Sequence, residues 1–219
     1  MNTLATITPE RFAEGLTLQE FRNGMRKNRE IYEENYKNFK LKPEDLAFLQ
    51  GYGRNLKLVV LAEDWCGDVL RYMPILQHMC EAARTWEVRV FYRDENTDLA
   101  DMWLKDGKFR AIPVIAFHDE QLREIACYVE KPAIVYAEDE RGKSTFADRH
   151  ADLPDAALPT SQMSEATFEL YSDFIRQFRL QNRTLWQQWF VDEVREKLQR
   201  ASFAVPGTAH MLQQPDAQA

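Results

Sequence analysis

Residues 62–74 read AEDWCGDVLRYMP. Immediately before them lies the apolar run Leu56–Ala62, short enough to be a strand buried on both faces. Immediately after Cys66, positions 69, 73, 76, 80 and 83 are all apolar and share one face of a helix. Strand, tight Trp65-Cys66-Gly67 turn and helix together put the Cys66 sulfur at a helix N-terminus. Unpaired backbone N–H groups and the helix dipole favour negative charge there, and the thiolate is the form that attacks a disulfide.

Further along, the pattern continues to alternate. Residues 87–93 contain VRVFY, a second strand, and residues 98–105 read as a helix that Asp106-Gly107 breaks. Residues 112–117 and 122–129 form a hairpin around residues 118–121. Pro132 suits the first turn of another helix.

On these residues the chain resembles the thioredoxin-like family. Strand, Trp65, Cys66, Gly67, helix, Pro74 eight residues after the cysteine, then Ile112-Pro113 before a hairpin is the thioredoxin order. The likeness spans residues 55–132. The EDWCGD start and the later Val129-Glu130-Lys131-Pro132 are similar to a bacterial subfamily with an N-terminal helical extension. The resemblance implies an α/β thioredoxin-like fold, a central mixed sheet flanked by helices, with helical extensions at both ends. It also implies a cis Pro113 facing the Cys66 sulfur, a basic residue at Arg110 shortly before it, and a groove built from Trp65, Gly67, Ile112 and Pro113. Cys66 would be the nucleophile, with no cofactor beyond a thiol reductant.

Three departures from the family pattern matter. Asp68 stands where many thioredoxins carry proline, Val69 where they carry the resolving cysteine, and Val60 where they carry a buried acid. A dithiol cycle within the motif is excluded, so any turnover passes through a mixed disulfide. Cys80 follows Cys66 along one helix at a distance of about 15–20 Å, beyond the reach of a disulfide. Cys127 lies on the hairpin strand beside the Ile112-Pro113 loop and is a candidate resolving thiol if its side chain points the right way.

Glu63, Asp64 and Asp68 surround Cys66 in sequence and oppose its ionisation, with Arg71 and Arg110 as partial offsets. The expectation is an acidic rim. Two roles are open to Asp68: stabilising the first helical turn, or relaying a proton to a leaving thiol as a catalytic partner of Cys66. Trp65 either stacks on substrate or covers the turn. His118 and His150 fall in loops without partners and support no nucleophilic triad.

The flanks are helical. Thr17-Leu18-Gln19-Glu20 is a capping box opening a helix expected to run to Phe39, and Gly15 stops a shorter helix before it. A further helix spans residues 43–50. Residues 1–54 thus form an N-terminal helical extension, 55–135 the thioredoxin-like core, 136–163 a charged loop or linker, and 164–219 a C-terminal helix and tail. The long helix that Ser164 caps either packs on the core or forms a homodimer interface.

The chain has 219 residues, of which 45% are hydrophobic and 12% aromatic, which suits one folded domain with extensions. A net charge of −7 argues against a nucleic-acid face. No basic n-region with an apolar h-region opens the chain, and no apolar run is long enough to span a bilayer, so a soluble cytoplasmic protein without a membrane partner is expected. Three cysteines cannot all pair within one chain and lack paired metal spacing, so free thiols and no metal are expected. Two functions fit: a monothiol oxidoreductase acting on protein or low-molecular-weight disulfides, and a redox-inactive binding module.

Overall fold

The computed structural model describes residues 7–203. Contacts divide the described residues into two compact units, one made of residues 7–131 and 191–203, the other of residues 132–190.

The first unit is built on a four-stranded sheet. Its strands are β1 (Leu56–Ala62), β2 (Trp86–Tyr92), β3 (Val114–His118) and β4 (Glu124–Val129), in the order β2-β1-β3-β4. β1 runs parallel to β2 and antiparallel to β3, and β4 closes the hairpin, so the sheet is mixed. β1 is central, and residues 58–62 are fully buried, as a strand covered on both faces requires. Helix α5 (Gly67–Ala83) follows it and buries Val69, Tyr72, Met73, Leu76 and Met79. A parallel neighbour needs a crossover of this length, so β1-α5-β2 forms one unit of the fold. His118 ends β3 rather than lying in a loop; it is 2% exposed, with Nδ1 3.1 Å from the Ala116 carbonyl. The helix expected over residues 98–105 is a single turn, Thr97–Ala100, named α6 below.

The N-terminal extension contains α1 (Pro9–Ala13), α2 (Leu18–Gly24), α3 (Arg29–Asn38) and α4 (Pro43–Gly51). Thr17 and Glu20 form the expected capping box at the start of α2. The helix does not run on to Phe39. It breaks between α2 and α3 because the Arg26 and Lys27 N–H groups donate to Asp64 Oδ2, at 2.7 and 3.0 Å, instead of to helical carbonyls. Asn28 then adopts φ 55° and donates from Nδ2 to the Asp64 carbonyl at 3.1 Å. Upstream, Leu16 exchanges two backbone hydrogen bonds with Val90, covering the outer edge of β2. Gly15 permits that approach, since a Cβ there would lie 2.7 Å from the Arg89 Cβ and the Phe91 ring.

Pro74 sits inside α5 and has no N–H to give the Leu70 carbonyl four residues earlier. Asn35 of α3 supplies the donor, with its Nδ2 3.0 Å from the Leu70 oxygen and the residue 6% exposed. Beside it the fully buried Tyr32 donates to Gln77 Oε1 at 3.1 Å. The extension is therefore hydrogen-bonded into the helix that Cys66 opens.

Residues 133–149 correct the expected linker: they form helix α7 (Ala133–Arg149). The charged run is a helix surface, carrying Glu138–Arg141 and Glu140–Lys143 pairs at i,i+3 spacing. In this second unit Val135, Phe178 and Trp186 form a core with α8 (Glu165–Phe203). Gly142 lets the two helices close up, since a Cβ there would lie 3.1 Å from Ile175 and 3.2 Å from Phe178. The last part of α8 belongs to the first unit, where Arg195 pairs with the buried Asp45 of α4 at 2.7 Å. Among the described residues no helix is long and apolar enough to cross a membrane.

Replacing Asn35 by alanine strands the Leu70 carbonyl and should cost about 2 kcal/mol of stability. In a Pro74→Ala background the cost should shrink by about 1 kcal/mol, because the alanine N–H restores the helical donor. Urea unfolding of the four proteins checks this; strictly additive costs would show that the two residues do not share that carbonyl.

Candidate active site

Cys66 is the N-cap of α5, with extended backbone at φ −84° and ψ 123°. Its N–H donates to the Glu63 carbonyl at 3.2 Å and its carbonyl accepts from Leu70 N–H at 3.0 Å, so the turn is held on both sides. The Sγ lies 3.5 Å from the Ile112 carbonyl oxygen and donates to it. Ile112-Pro113 is a cis peptide bond, so the expected cis-proline loop does meet the thiol, through the Ile112 carbonyl. Ile112 and Pro113 are buried, and the Ile112 carbonyl faces the sulfur.

Trp65 is 45% exposed and Gly67 has no atom within 4 Å of where a Cβ would stand, so the turn opens to solvent. Phe109, which sequence reading passed over, is 60% exposed on the loop leading to Pro113. An exposed aromatic thus sits on each of the two loops that meet at the sulfur.

Of the three acidic neighbours expected around Cys66, Asp68 acts on the thiol, while the other two accept backbone N–H groups. Asp64 accepts from the Arg26 and Lys27 N–H groups, and Glu63 is 7% exposed and accepts from Asp94 N–H at 2.9 Å. Burial pushes the Glu63 carboxyl pKa above the ordinary carboxylate value. Asp68 pairs with Arg71 at 2.6 Å. Arg110 pairs with Asp101 at 2.6 Å. A cation that favours the Cys66 thiolate is Arg93, which sequence reading did not single out. Its signal was present in the strand pattern: parallel pairing of Ala62 with Tyr92 makes the chain leave β1 and β2 side by side, which brings residues 93–94 to residues 62–66.

Burial is the largest influence on the Cys66 thiol and pushes its pKa above the ordinary cysteine value, with Asp68 acting in the same direction. The N–H groups of Val69 and Asp68 and the Arg93 guanidinium pull the other way. As a thiol, Cys66 makes no side-chain cap hydrogen bond to α5; its proton is directed to Ile112 instead. A hydrogen bond donated by the neutral form also disfavours ionisation.

The other thiols do not join it. Cys127 pairs in register with Ala116 and is 5% exposed, and burial raises its pKa far above the ordinary value. Cys80 lies in the last turns of α5, and burial likewise keeps it protonated. All three cysteines are free. Val69 is fully buried, so the position of a resolving cysteine is filled by a core side chain.

No curated protein matches the chain in sequence. Two solved structures are similar in fold. The crystal structure of an HIV epitope scaffold is 15% identical with a TM-score of 0.56, covering 87% of this chain and 96% of that one. A protein of unknown function from Pseudomonas aeruginosa is 16% identical with a TM-score of 0.51, covering 76% of this chain and 95% of that one. Identities this low carry fold and not activity. A family model described as thioredoxin matches residues 15–140, a span that takes in α2–α4 as well as the sheet. With that match over more than half of its length, the chain belongs to the thioredoxin family.

Proposed function

We propose that the protein is a monothiol thiol-disulfide oxidoreductase whose nucleophile is Cys66. The observation that carries this reading is the placement of Cys66 Sγ at the start of α5, 3.5 Å from the Ile112 carbonyl beside the cis proline. The Cys66 thiolate attacks one sulfur of a protein or low-molecular-weight disulfide. The substrate S–S bond breaks, a Cys66 mixed disulfide forms, and the second sulfur leaves as a thiolate that takes a proton from solvent. Because Val69 offers no second thiol, an external thiol attacks the mixed disulfide, restores Cys66 and carries away the first sulfur as a new disulfide.

Ionisation changes which backbone groups the sulfur can use. The thiol donates to Ile112; the thiolate can only accept, and the Val69 and Asp68 N–H groups favour that form. Asp68, paired with Arg71, acts on this balance by opposing ionisation of the thiol. Trp65 and Phe109 are exposed on the two loops and offer apolar surface to a substrate.

A second reading is a binding module in which Cys66 never exchanges. The fully buried Val69 and the raised thiol pKa favour it. Treatment with a neutral aromatic disulfide distinguishes the two. The oxidoreductase reading expects one mixed disulfide per chain at Cys66, stable until free thiol is added, and none in Cys66→Ser. Peptide mapping that finds Cys66 unmodified in the folded protein would leave only the binding module.

The raised pKa also gives a pH dependence. Because the folded state favours the neutral thiol, the exchange rate should keep rising with pH beyond the ordinary cysteine range. Asp68→Asn removes one of the causes, so it should lower the midpoint of that profile and speed exchange about threefold at neutral pH. The gain should be larger with an anionic reporter disulfide than with a neutral one. Stopped-flow rates across pH for both proteins test this, and identical profiles would show that Asp68 does not act on the thiol.

A further inference from the structure

Arg93 follows the last residue of β2, and its backbone N–H reaches the Ala62 carbonyl at 3.4 Å. Its side chain makes three further contacts. Nε and Nη2 donate to Asp94 Oδ1 at 2.9 and 2.6 Å. Nη1 donates to the Arg110 carbonyl at 3.1 Å, three residues before Pro113. The guanidinium carbon stands 5.1 Å from the centroid of the Trp65 ring, one residue before Cys66. One side chain therefore touches both loops that meet at the sulfur, and it is 21% exposed.

Only a planar fork can do this. A guanidinium presents donors in fixed directions and stacks on an aromatic face, whereas an ammonium is a single point charge on a flexible stem. With Asp94 holding one edge, the plane is fixed over Trp65 while Nη1 remains directed to Arg110.

We propose that Arg93 is the positioning residue of the site: it holds the Trp65-Cys66-Gly67 turn against the loop leading to Pro113 and fixes a positive charge over the tryptophan that precedes the reacting thiol. This rests on the reading of Cys66 as the reacting group. The surrounding charges leave this role to Arg93. On the helix itself Asp68 is paired with Arg71; beyond β1, Glu63 and Asp64 accept backbone N–H groups; beyond β2 Asp94 holds Arg93; and on the proline loop Arg110 faces Asp101. The direction of the Arg93 effect on the thiol, toward ionisation, agrees with that placement.

The test uses the full chain and two variants, Arg93→Met and Arg93→Lys. The pH dependence of Cys66 alkylation by iodoacetamide, read by peptide mass, reports its ionisation. Hydrogen exchange of residues 64–67 and 109–112 reports the two loops. Arg93→Met should move the alkylation midpoint to higher pH and slow alkylation about three- to tenfold at neutral pH. Arg93→Lys should keep the midpoint near that of the wild type, because the charge remains. Both variants should speed exchange in both loops, because the fork is lost. Should Arg93→Met fold poorly, Arg93→Gln removes the same charge with a polar side chain. An unchanged midpoint without the charge, a lysine variant that shifts the midpoint as far as methionine does, or unchanged exchange in both loops would each overturn the proposal. A wild type whose Cys66 alkylates but never exchanges with a disulfide would defeat the oxidoreductase reading alone and leave Arg93 in its role.

Discussion

A proline in the middle of a helix deprives the carbonyl four residues back of its donor, and that single deficit organises the structure around Cys66. The Leu70 carbonyl lies in the first turn after Cys66, and Asn35 of the N-terminal extension supplies what Pro74 cannot. A buried carbonyl without a partner costs more than an ordinary hydrogen bond gains, so the extension is bound to the helix by need. Asp64 repeats the arrangement one turn earlier. Its carboxylate takes the N–H groups of Arg26 and Lys27, and its carbonyl takes Asn28. The helices before the sheet are therefore part of what holds Cys66 in place, which accords with a family match that begins at residue 15.

The same bonds decide the electrostatics of the site. Three carboxylates close to Cys66 in sequence become one that acts on the thiol. Asp64 is spent on the extension and Glu63 on Asp94 N–H, which leaves Asp68 with its Arg71 partner. Burial then outweighs any carboxylate in raising the thiol pKa. Against it stand the α5 amides and Arg93, whose position follows from the parallel pairing of β1 with β2.

What could be read in the sequence was whatever a local pattern decides. The buried strand at Leu56–Ala62, the apolar face of α5, the turn at Cys66 and the Ile112-Pro113 hairpin each depend on neighbours within a few positions. What escaped depended on residues far away in the chain. A capped amphipathic run through residues 18–39 carries only Asn23-Gly24 as a local signal to break, and Asp64 completes the break by competing for its backbone donors. The stretch from Glu138 to Lys143 reads as loop because it is charged, yet its Gly142 is where α7 needs a bare Cα against Ile175 and Phe178. Arg93 carries no motif at all, and only strand register reveals it.

Val69 joins these strands of argument at the chemistry. As a side chain it is a fully buried part of the core, so no second sulfur can stand one turn from Cys66. As a backbone it contributes an N–H that favours the Cys66 thiolate. Losing the resolving cysteine therefore leaves the helix N-terminus intact as an anion-stabilising site, because that property belongs to the amides and not to the side chain. The step that is lost is internal release of a mixed disulfide; formation of one needs only Cys66, those amides and an open face. On the proposed exchange chemistry, such a site would hold its partner until another thiol arrived, and the supply and access of that thiol would set the lifetime of the complex. Trp65 and Phe109 are exposed on the two loops that Arg93 touches, so under that proposal the geometry of those loops, more than the acidity of the thiol, would determine which thiol resolves it.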